Sequence, residues 1–139
     1  MVQIIAGEKG KGKTKILIQH ANSDVKTAKG SIVYLDKNNK HMYELSNKLR
    51  LINVHDYCIK NSSEFIGFIL GLISQDNDLE KVYLDSFLTI ACTDEDECEN
   101  VLNQLDDLSN RFHIDFVVSI SLNDSLLTEE RRKNVLIRL

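Results

Sequence analysis

An eight-residue stretch near the start of the chain carries most of the chemistry that the sequence offers. It reads GEKGKGKT at residues 7–14, matches G-x-x-x-x-G-K-[ST] at every fixed position, and holds three of the chain's six glycines. Glycines let a loop wrap so closely that several backbone N–H groups can meet the oxygens of one polyphosphate. The stretch, called the phosphate loop below, therefore predicts nucleoside triphosphate binding. Its residues are Gly7, Glu8, Lys9, Gly10, Lys11, Gly12, Lys13 and Thr14.

Two side chains at the end of the phosphate loop have separate predicted roles. Lys13 would reach the β- and γ-phosphates as a catalytic cation, and the Thr14 hydroxyl would ligate Mg²⁺. The helix that is predicted to start here adds the positive end of its dipole. We interpret Lys9, Lys11 and Lys15 as solvated charges that raise the local electrostatic potential.

A carboxylate at the end of another buried strand is the usual second half of such a site. The run KVYLD at residues 81–85 ends in Asp85, and parallel sheets bind their ligands at this carboxyl edge. We therefore expect Asp85 to hold Mg²⁺ through a water molecule, together with Thr14. An aspartate that only caps the following turn is the alternative interpretation.

These residues need a scaffold, and the rest of the chain predicts one. Apolar and β-branched runs recur without polar alternation, which is typical of strands buried on both faces of a parallel sheet. Helical patterns lie between them, so we expect an α/β fold, a three-layer α/β/α sandwich with a mostly parallel central sheet. The predicted strands are 2–6, 31–35, 51–54, 81–85, 114–120 and 135–139, and the predicted helices are 14–28, 42–50, 63–74, 94–112 and 125–133.

Composition limits the class of protein further. The 139 residues contain no proline, so we expect a single domain over 1–139. The net charge of −4 argues against nucleic acid as the main partner. The three cysteines lack a paired spacing, which indicates reduced thiols in a cytoplasmic protein. The longest apolar run, at 65–73, is too short to cross a membrane.

Taken together, these features resemble the P-loop NTPases, and among them the core of the RecA-like ATPases. The phosphate loop corresponds to Walker A, SIVYLD to the RecA-type second strand, and VYLDSF to the Walker B strand. The resemblance implies ATP and Mg²⁺ as ligands, since no guanine-reading [NT]-K-x-D motif is present. It also implies that the strand DFVVSISLND lies between the first strand and the Walker B strand, with Ser121 or Asn123 contacting the γ-phosphate. Polar residues that simply end this strand are the alternative.

The chain departs from that family where the attacking water is oriented. RecA-like ATPases use a glutamate just beyond the second strand, but the turn LDKNNKH has Asn38 at that position. Asp36 is the nearest acid and our expected catalytic base, with Glu44 as the more distant choice. A serine, Ser86, follows the Walker B aspartate where other ATPases carry a glutamate. Because a missing carboxylate slows hydrolysis more than binding, we expect weak or partner-activated ATP hydrolysis.

Two other function classes stay open. One is a non-catalytic, nucleotide-switched interaction module with the acidic helix 94–112 as its partner surface. The other is a small-molecule phosphotransferase, which is disfavoured because no long insertion carries clustered arginines for a lid. A homo-oligomer or a protein partner is compatible with either. Arg131 and Arg132 are interpreted as a solvated face, or as a finger that reaches a neighbouring subunit.

Overall fold

A six-stranded sheet forms the centre of the computed structural model, which describes residues 1–122 and 126–139. Its strands are β1 (Val2–Ala6), β2 (Ser31–Asp36), β3 (Arg50–Asn53), β4 (Leu79–Leu84), β5 (Asp115–Ile120) and β6 (Val135–Arg138). The strand order is β3-β2-β4-β5-β1-β6, and every pairing between them is parallel. The expected position of β5 between β1 and β4 is therefore confirmed.

Helices cover both faces of the sheet, which confirms the predicted three layers. They are α1 (Lys13–Asp24), α2 (Ser62–Gln75), α3 (Phe87–Ile90), α4 (Cys98–Phe112) and α5 (Glu129–Arg132), with a 3-10 turn at Val54–Tyr57. Buried residues of α2, α3 and α4 pack on one face, and those of α1 pack on the other. Each face of the sheet has its own hydrophobic core, and successive residues along a strand pack alternately into one core and the other. The strands are therefore buried on both faces, which explains why apolar residues in them do not alternate with polar ones.

The helix predicted at 42–50 was wrong. These residues form successive turns that lead into β3, and Leu45 and Leu49 are buried against the α1 face of the sheet. The side-chain oxygen of Asn22 on α1 accepts a hydrogen bond of 2.8 Å from the backbone N–H of Ser46. Here a side chain from a distant helix accepts the backbone N–H that a local helix would have bonded internally. The spacing of apolar residues within 42–50 cannot reveal such a long-range bond.

The acidic stretch before α4 forms a turn rather than the first turns of the helix. The predicted helix started at residue 94, but α4 starts at Cys98. The Asp94 side chain accepts backbone hydrogen bonds from Asp96 at 3.0 Å and from Glu97 at 2.9 Å. An aspartate that bonds the backbone two residues ahead favours such a turn over a helix.

Gly67 and Gly71 on α2 face away from the sheet. Both are exposed, and a Cβ atom at either position would meet no atom within 4 Å. The face of α2 that packs on the sheet is formed by its larger apolar residues instead. No helix in the described part of the chain is both long and apolar enough to cross a membrane.

Arg131 is buried, with 6% of its surface exposed, so its interpretation as part of a solvated face was wrong. Its guanidinium pairs with Glu99 at 3.1 Å and with Asp106 at 2.7 Å, and it donates to Asn103 at 2.9 Å. These partners all lie on α4, so Arg131 links α5 to that helix. The guanidinium is thereby committed within its own chain rather than extended as a finger.

Replacing Arg131 by alanine is expected to lower the free energy of unfolding by about 2 kcal/mol, because two partly buried carboxylates lose their cation. Urea denaturation measures this loss. Lys133→Ala, at an exposed position in the same segment, is the control and should change the stability by less than about 0.5 kcal/mol. Equal effects of the two substitutions would contradict a stabilising role for the ion pairs between Arg131 and α4.

Candidate functional site

A cavity of about 350 Å³ opens at the carboxyl edge of the sheet, between the phosphate loop and the end of β4. The predicted residues that line it are Lys9, Gly10, Gly12, Lys13, Thr14, Asp85 and Ser121. Lys37, Ser86, Leu88, Thr89 and Ser119 line it as well, although the sequence had not singled them out for this site. The remaining loop residues, Gly7, Glu8 and Lys11, line a neighbouring cavity of about 130 Å³.

The backbone of the phosphate loop adopts conformations that favour glycine. Gly10 and Gly12 have φ angles of +86° and +90°, in the left-handed region. At Gly7 the constraint is space, because a Cβ atom there would lie 2.9 Å from the Leu139 Cβ and 3.0 Å from the Leu139 carbonyl oxygen. Gly12 is also the N-cap of α1, so the loop leads directly into the positive end of that helix.

Replacing Gly12 by alanine is expected to cost about 1–2 kcal/mol of stability, because its φ of +90° is strained for a residue with a Cβ atom. Thermal denaturation measures the loss. Gly67→Ala is a matched control, since Gly67 lies in a helix with open space around it. That control is expected to gain about 0.5–1 kcal/mol. A gain at both positions would contradict the conformational argument.

Lys13 is held against its own loop. Its side chain is only 8% exposed, and its ammonium donates a 2.9 Å hydrogen bond to the backbone carbonyl of Glu8. Burial lowers the pKa of Lys13, and the nearby charge of Asp85 opposes that shift. A buried ammonium with one carbonyl partner is ready to exchange that partner for an anion.

Asp85 receives hydrogen bonds from three hydroxyl groups that belong to distant parts of the chain. Thr14 and Ser119 donate to its Oδ1 at 3.1 and 3.0 Å, and Tyr34 donates to its Oδ2 at 2.8 Å. The carboxylate is 1% exposed, so these donors replace the water that an exposed carboxylate would bind. Asp85 therefore links the phosphate loop to the sheet through long-range hydrogen bonds. The alternative interpretation, an aspartate that only caps the following turn, does not account for these bonds.

Ser86 and Ser119 of β5 extend the hydrogen-bond network around Asp85. Ser86 has a φ of +54°, which is unusual for a residue other than glycine, and its N–H donates a 3.0 Å bond to Ser119 Oγ. Ser119 thus accepts from the backbone on one side and donates to Asp85 on the other.

Tyr34 and Ser119 are the contacts of Asp85 that sequence reasoning missed. Burial, with the adjacent negative charge of Asp85, raises the pKa of Tyr34, so its hydroxyl remains a proton donor. The available signal was a hydroxyl within the mostly apolar runs that form β2 and β5, the strands on either side of β4. A buried hydroxyl needs a partner, and the carboxyl edge of the sheet offers few.

Asp36, our expected base, does not line the cavity, although its neighbour Lys37 does. It is 3% exposed, its Oδ1 accepts a 2.7 Å bond from the Lys37 N–H, and its Oδ2 has no partner among the described residues. Burial raises the pKa of Asp36, and the negative charge of Asp85 raises it further. The structure thus brings two carboxylates together at the ends of β2 and β4, with only Asp85 facing the cavity.

The other candidates divide into those at the cavity and those away from it. Ser121 lines it, whereas Asn123 lies outside the described residues. Glu44 does not line it; its exposed side chain pairs with His41. Asn38 does not line it either, and its side-chain oxygen accepts a 2.9 Å bond from the Lys40 N–H.

The donor set at the cavity fits a hard divalent cation. The Thr14 hydroxyl points its proton at Asp85 Oδ1, which leaves the oxygen lone pairs of Thr14 free to bind a metal. Within residues 1–122 and 126–139, no three His, Cys, Asp or Glu residues could hold a metal ion by themselves. A cation here would need further oxygens from water and a bound anion, which is the habit of Mg²⁺.

Comparison with known proteins supports the α/β fold but no particular family or function. No protein-family model and no curated protein matches the chain. The solved structure of the pCW3 conjugation coupling protein TcpA, in a monomer form with ATPγS, is similar with a TM-score of 0.53 and 15% sequence identity. The match covers 99% of this chain and 47% of TcpA, so the chain spans about half the length of that protein. At this identity the likeness shows the shared α/β fold alone.

Proposed function

We propose that this protein binds ATP together with Mg²⁺ in the cavity between the phosphate loop and the end of β4. One observation carries the proposal: Lys13, Thr14 and Asp85 meet at one cavity, and Thr14 Oγ1 donates to Asp85 across 71 positions of sequence. The similar fold of TcpA, which was solved with ATPγS, agrees with a nucleotide as the ligand. Adenine is preferred to guanine because the chain has no guanine-reading motif.

Each part of the site has a defined task in this proposal. The backbone N–H groups of the phosphate loop and the start of α1 bind phosphate oxygens. Lys13 exchanges the Glu8 carbonyl for the β- and γ-phosphates, and Ser121, which lines the cavity, contacts the terminal phosphate. Thr14 and Asp85 hold the cation, Asp85 through water, and the cation neutralises charge on the β- and γ-oxygens.

Hydrolysis in this proposal is weak, or activated by a partner, and Asp36 is the catalytic base. A base must reach the attacking water within about 3 Å or through one further water. Asp36 is buried and does not line the cavity, so it needs a local rearrangement before it can take a proton from the attacking water. A protein partner or a second copy of the chain that opened this part of the site would increase the rate.

The test combines two measurements on the folded protein. Mg²⁺–ATP is expected to raise the melting temperature, and at 100 times Kd the stabilisation is about 2.7 kcal/mol. GTP, and ATP with a chelator, should stabilise less. Phosphate release is then followed across protein concentrations, since a rate per molecule that rises with concentration indicates activation by self-association. Calorimetry that gives no heat with ATP or GTP and Mg²⁺ on folded protein would contradict the proposal.

The burial of Asp36 also favours a second candidate, a nucleotide-switched interaction module without catalysis. Its partner surface would be the exposed acidic side chains of α4 and the turn before it. Stabilisation by Mg²⁺–ATP with no phosphate release at any protein concentration would favour this module over the ATPase.

A further inference from the structure

The carboxylate of Asp85 is held from both of the strands that flank it. Tyr34 comes from β2 and Ser119 from β5, while Asp85 itself follows β4. The 2.9 Å bond from the Asp85 N–H to the Leu35 carbonyl continues the β2–β4 ladder up to this residue. Both the backbone and the side chain of Asp85 are therefore fixed relative to the sheet.

The two oxygens of this carboxylate have different surroundings. Oδ1 accepts from Ser119 and from Thr14, so it lies on the side of the phosphate loop. Oδ2 accepts from Tyr34, and of the described residues no other donates to it. Tyr34 is fully buried, so no water can take the place of its hydroxyl without a change in packing. The Tyr34 bond thus determines which oxygen is turned toward the cavity.

We propose that Tyr34 is a positioning residue for the Mg²⁺ site, and that with Ser119 opposite it keeps Asp85 Oδ1 oriented toward the cation beside Thr14. This inference rests on the proposed function. Groups that hold metal ligands in place usually affect metal affinity by 10–100-fold when they are removed. Tyr34 does not line the cavity, so its effect should be limited to the metal.

The chain supplies a matched control for Tyr34. Tyr83 is its partner in the β2–β4 register, and the two rings stack with centroids 6.1 Å apart and 15° between their planes. The Tyr83 hydroxyl bonds to Asp24, at the end of α1, instead of to Asp85. Tyr34→Phe and Tyr83→Phe therefore each remove one buried hydroxyl from the same layer, but only one of them affects the candidate metal site.

The experiment titrates Mg²⁺ at fixed ATPγS and measures binding by calorimetry, with a parallel titration of ATPγS in chelator. Tyr34→Phe is expected to raise the Mg²⁺ concentration at half-saturation about tenfold and to leave the metal-free nucleotide affinity unchanged. Tyr83→Phe should match the wild type in both titrations. A Mg²⁺ midpoint in Tyr34→Phe equal to that in Tyr83→Phe would overturn the inference.

A second variant covers the case in which Tyr34→Phe does not fold. Ser119→Ala removes the donor on the other side of Asp85, and it is expected to weaken Mg²⁺ by a similar factor. An unchanged Mg²⁺ midpoint in Ser119→Ala would overturn the inference. A wild-type protein that binds ATPγS equally well with and without Mg²⁺ would overturn it while leaving nucleotide binding in place. A wild-type protein that binds no nucleotide would overturn the proposed function, and this inference with it.

Discussion

Replacing Lys13 by alanine is expected to weaken the binding of Mg²⁺–ATP by about 100-fold. The variant loses charge-assisted hydrogen bonds to the phosphates, which are worth about 1.5–3 kcal/mol each. At a concentration where the wild type gains about 2.7 kcal/mol from ATP, a 100-fold weaker variant gains about 0.4 kcal/mol. The ligand-dependent shift in melting temperature should therefore almost vanish, and calorimetry gives the affinity directly.

Lys15→Ala is the control, because it removes the same charge from an exposed position two residues away on α1. If only the local positive potential mattered, both substitutions would weaken binding alike. The unliganded Lys13→Ala protein should remain folded, since among the described residues the ammonium has only the Glu8 carbonyl as a hydrogen-bond partner, and alanine suits the start of a helix. A full thermal shift in Lys13→Ala would show that the phosphate loop is not the binding site. Equal losses in both variants would contradict a specific contact of Lys13 with the phosphates and leave only its effect on the local potential.

The sequence was sufficient to predict that the end of the phosphate loop and Asp85 would lie close together, and the structure places Lys13, Thr14 and Asp85 at one cavity. The glycine and lysine spacing is a local pattern with a local physical cause. The chain order of strands then brings Asp85 to the carboxyl edge, because parallel strands share that edge. The six strands were found for a similar reason, since continuous apolar runs are buried on both faces of a parallel sheet.

What the sequence could not give depends on contacts between distant residues. The bond from Tyr34 to Asp85 requires the register of β2 against β4, and no local pattern contains it. The turns at 42–50 depend on Asn22 in α1, so the apparent helical periodicity of that segment was misleading. The burial of Asp36 likewise follows from packing, although its position at the end of β2 was clear.

Replacing Asp36 by asparagine is expected to stabilise the protein at neutral pH by about 1–2 kcal/mol. The carboxylate is buried, one of its oxygens has no partner in the described structure, and it lies near the negative charge of Asp85. A buried charge costs more than a buried neutral amide of the same shape, and the amide also removes the repulsion from Asp85. Urea denaturation of both proteins measures the difference.

The pH dependence of this gain has a defined sign. The pKa of Asp36 in the folded protein lies above its ordinary value of 3.8. As the pH rises above that value, the unfolded chain releases this proton while the folded chain still holds it, so wild-type stability falls. The loss is complete once the folded carboxyl has also ionised. The advantage of Asp36→Asn should therefore be small near pH 4 and reach a plateau at higher pH.

Asp107→Asn, at an exposed position on α4, is the control for the loss of one negative charge. It should change the stability by less than about 0.5 kcal/mol at any of these pH values. An advantage of Asp36→Asn that is the same at every pH would mean that its cause is not the ionisation of Asp36. A loss of stability at neutral pH would mean that the carboxylate has a partner that matters to the fold.

The same variant is expected to lower phosphate release by about 10²–10⁴-fold if Asp36 is the base, while ATP affinity changes by less than about twofold. A substitution that stabilises the fold and removes activity identifies a group that is kept for chemistry at a cost in stability. Asp36 fits that description because burial and the charge of Asp85 disfavour its ionised form more than the Lys37 N–H and the nearby cations favour it. Unchanged phosphate release in a stabilised Asp36→Asn protein would exclude Asp36 as the base. The burial of Asp36 would then have no catalytic role, and any hydrolysis would depend on another group, such as Glu44 after a rearrangement or a residue of a partner.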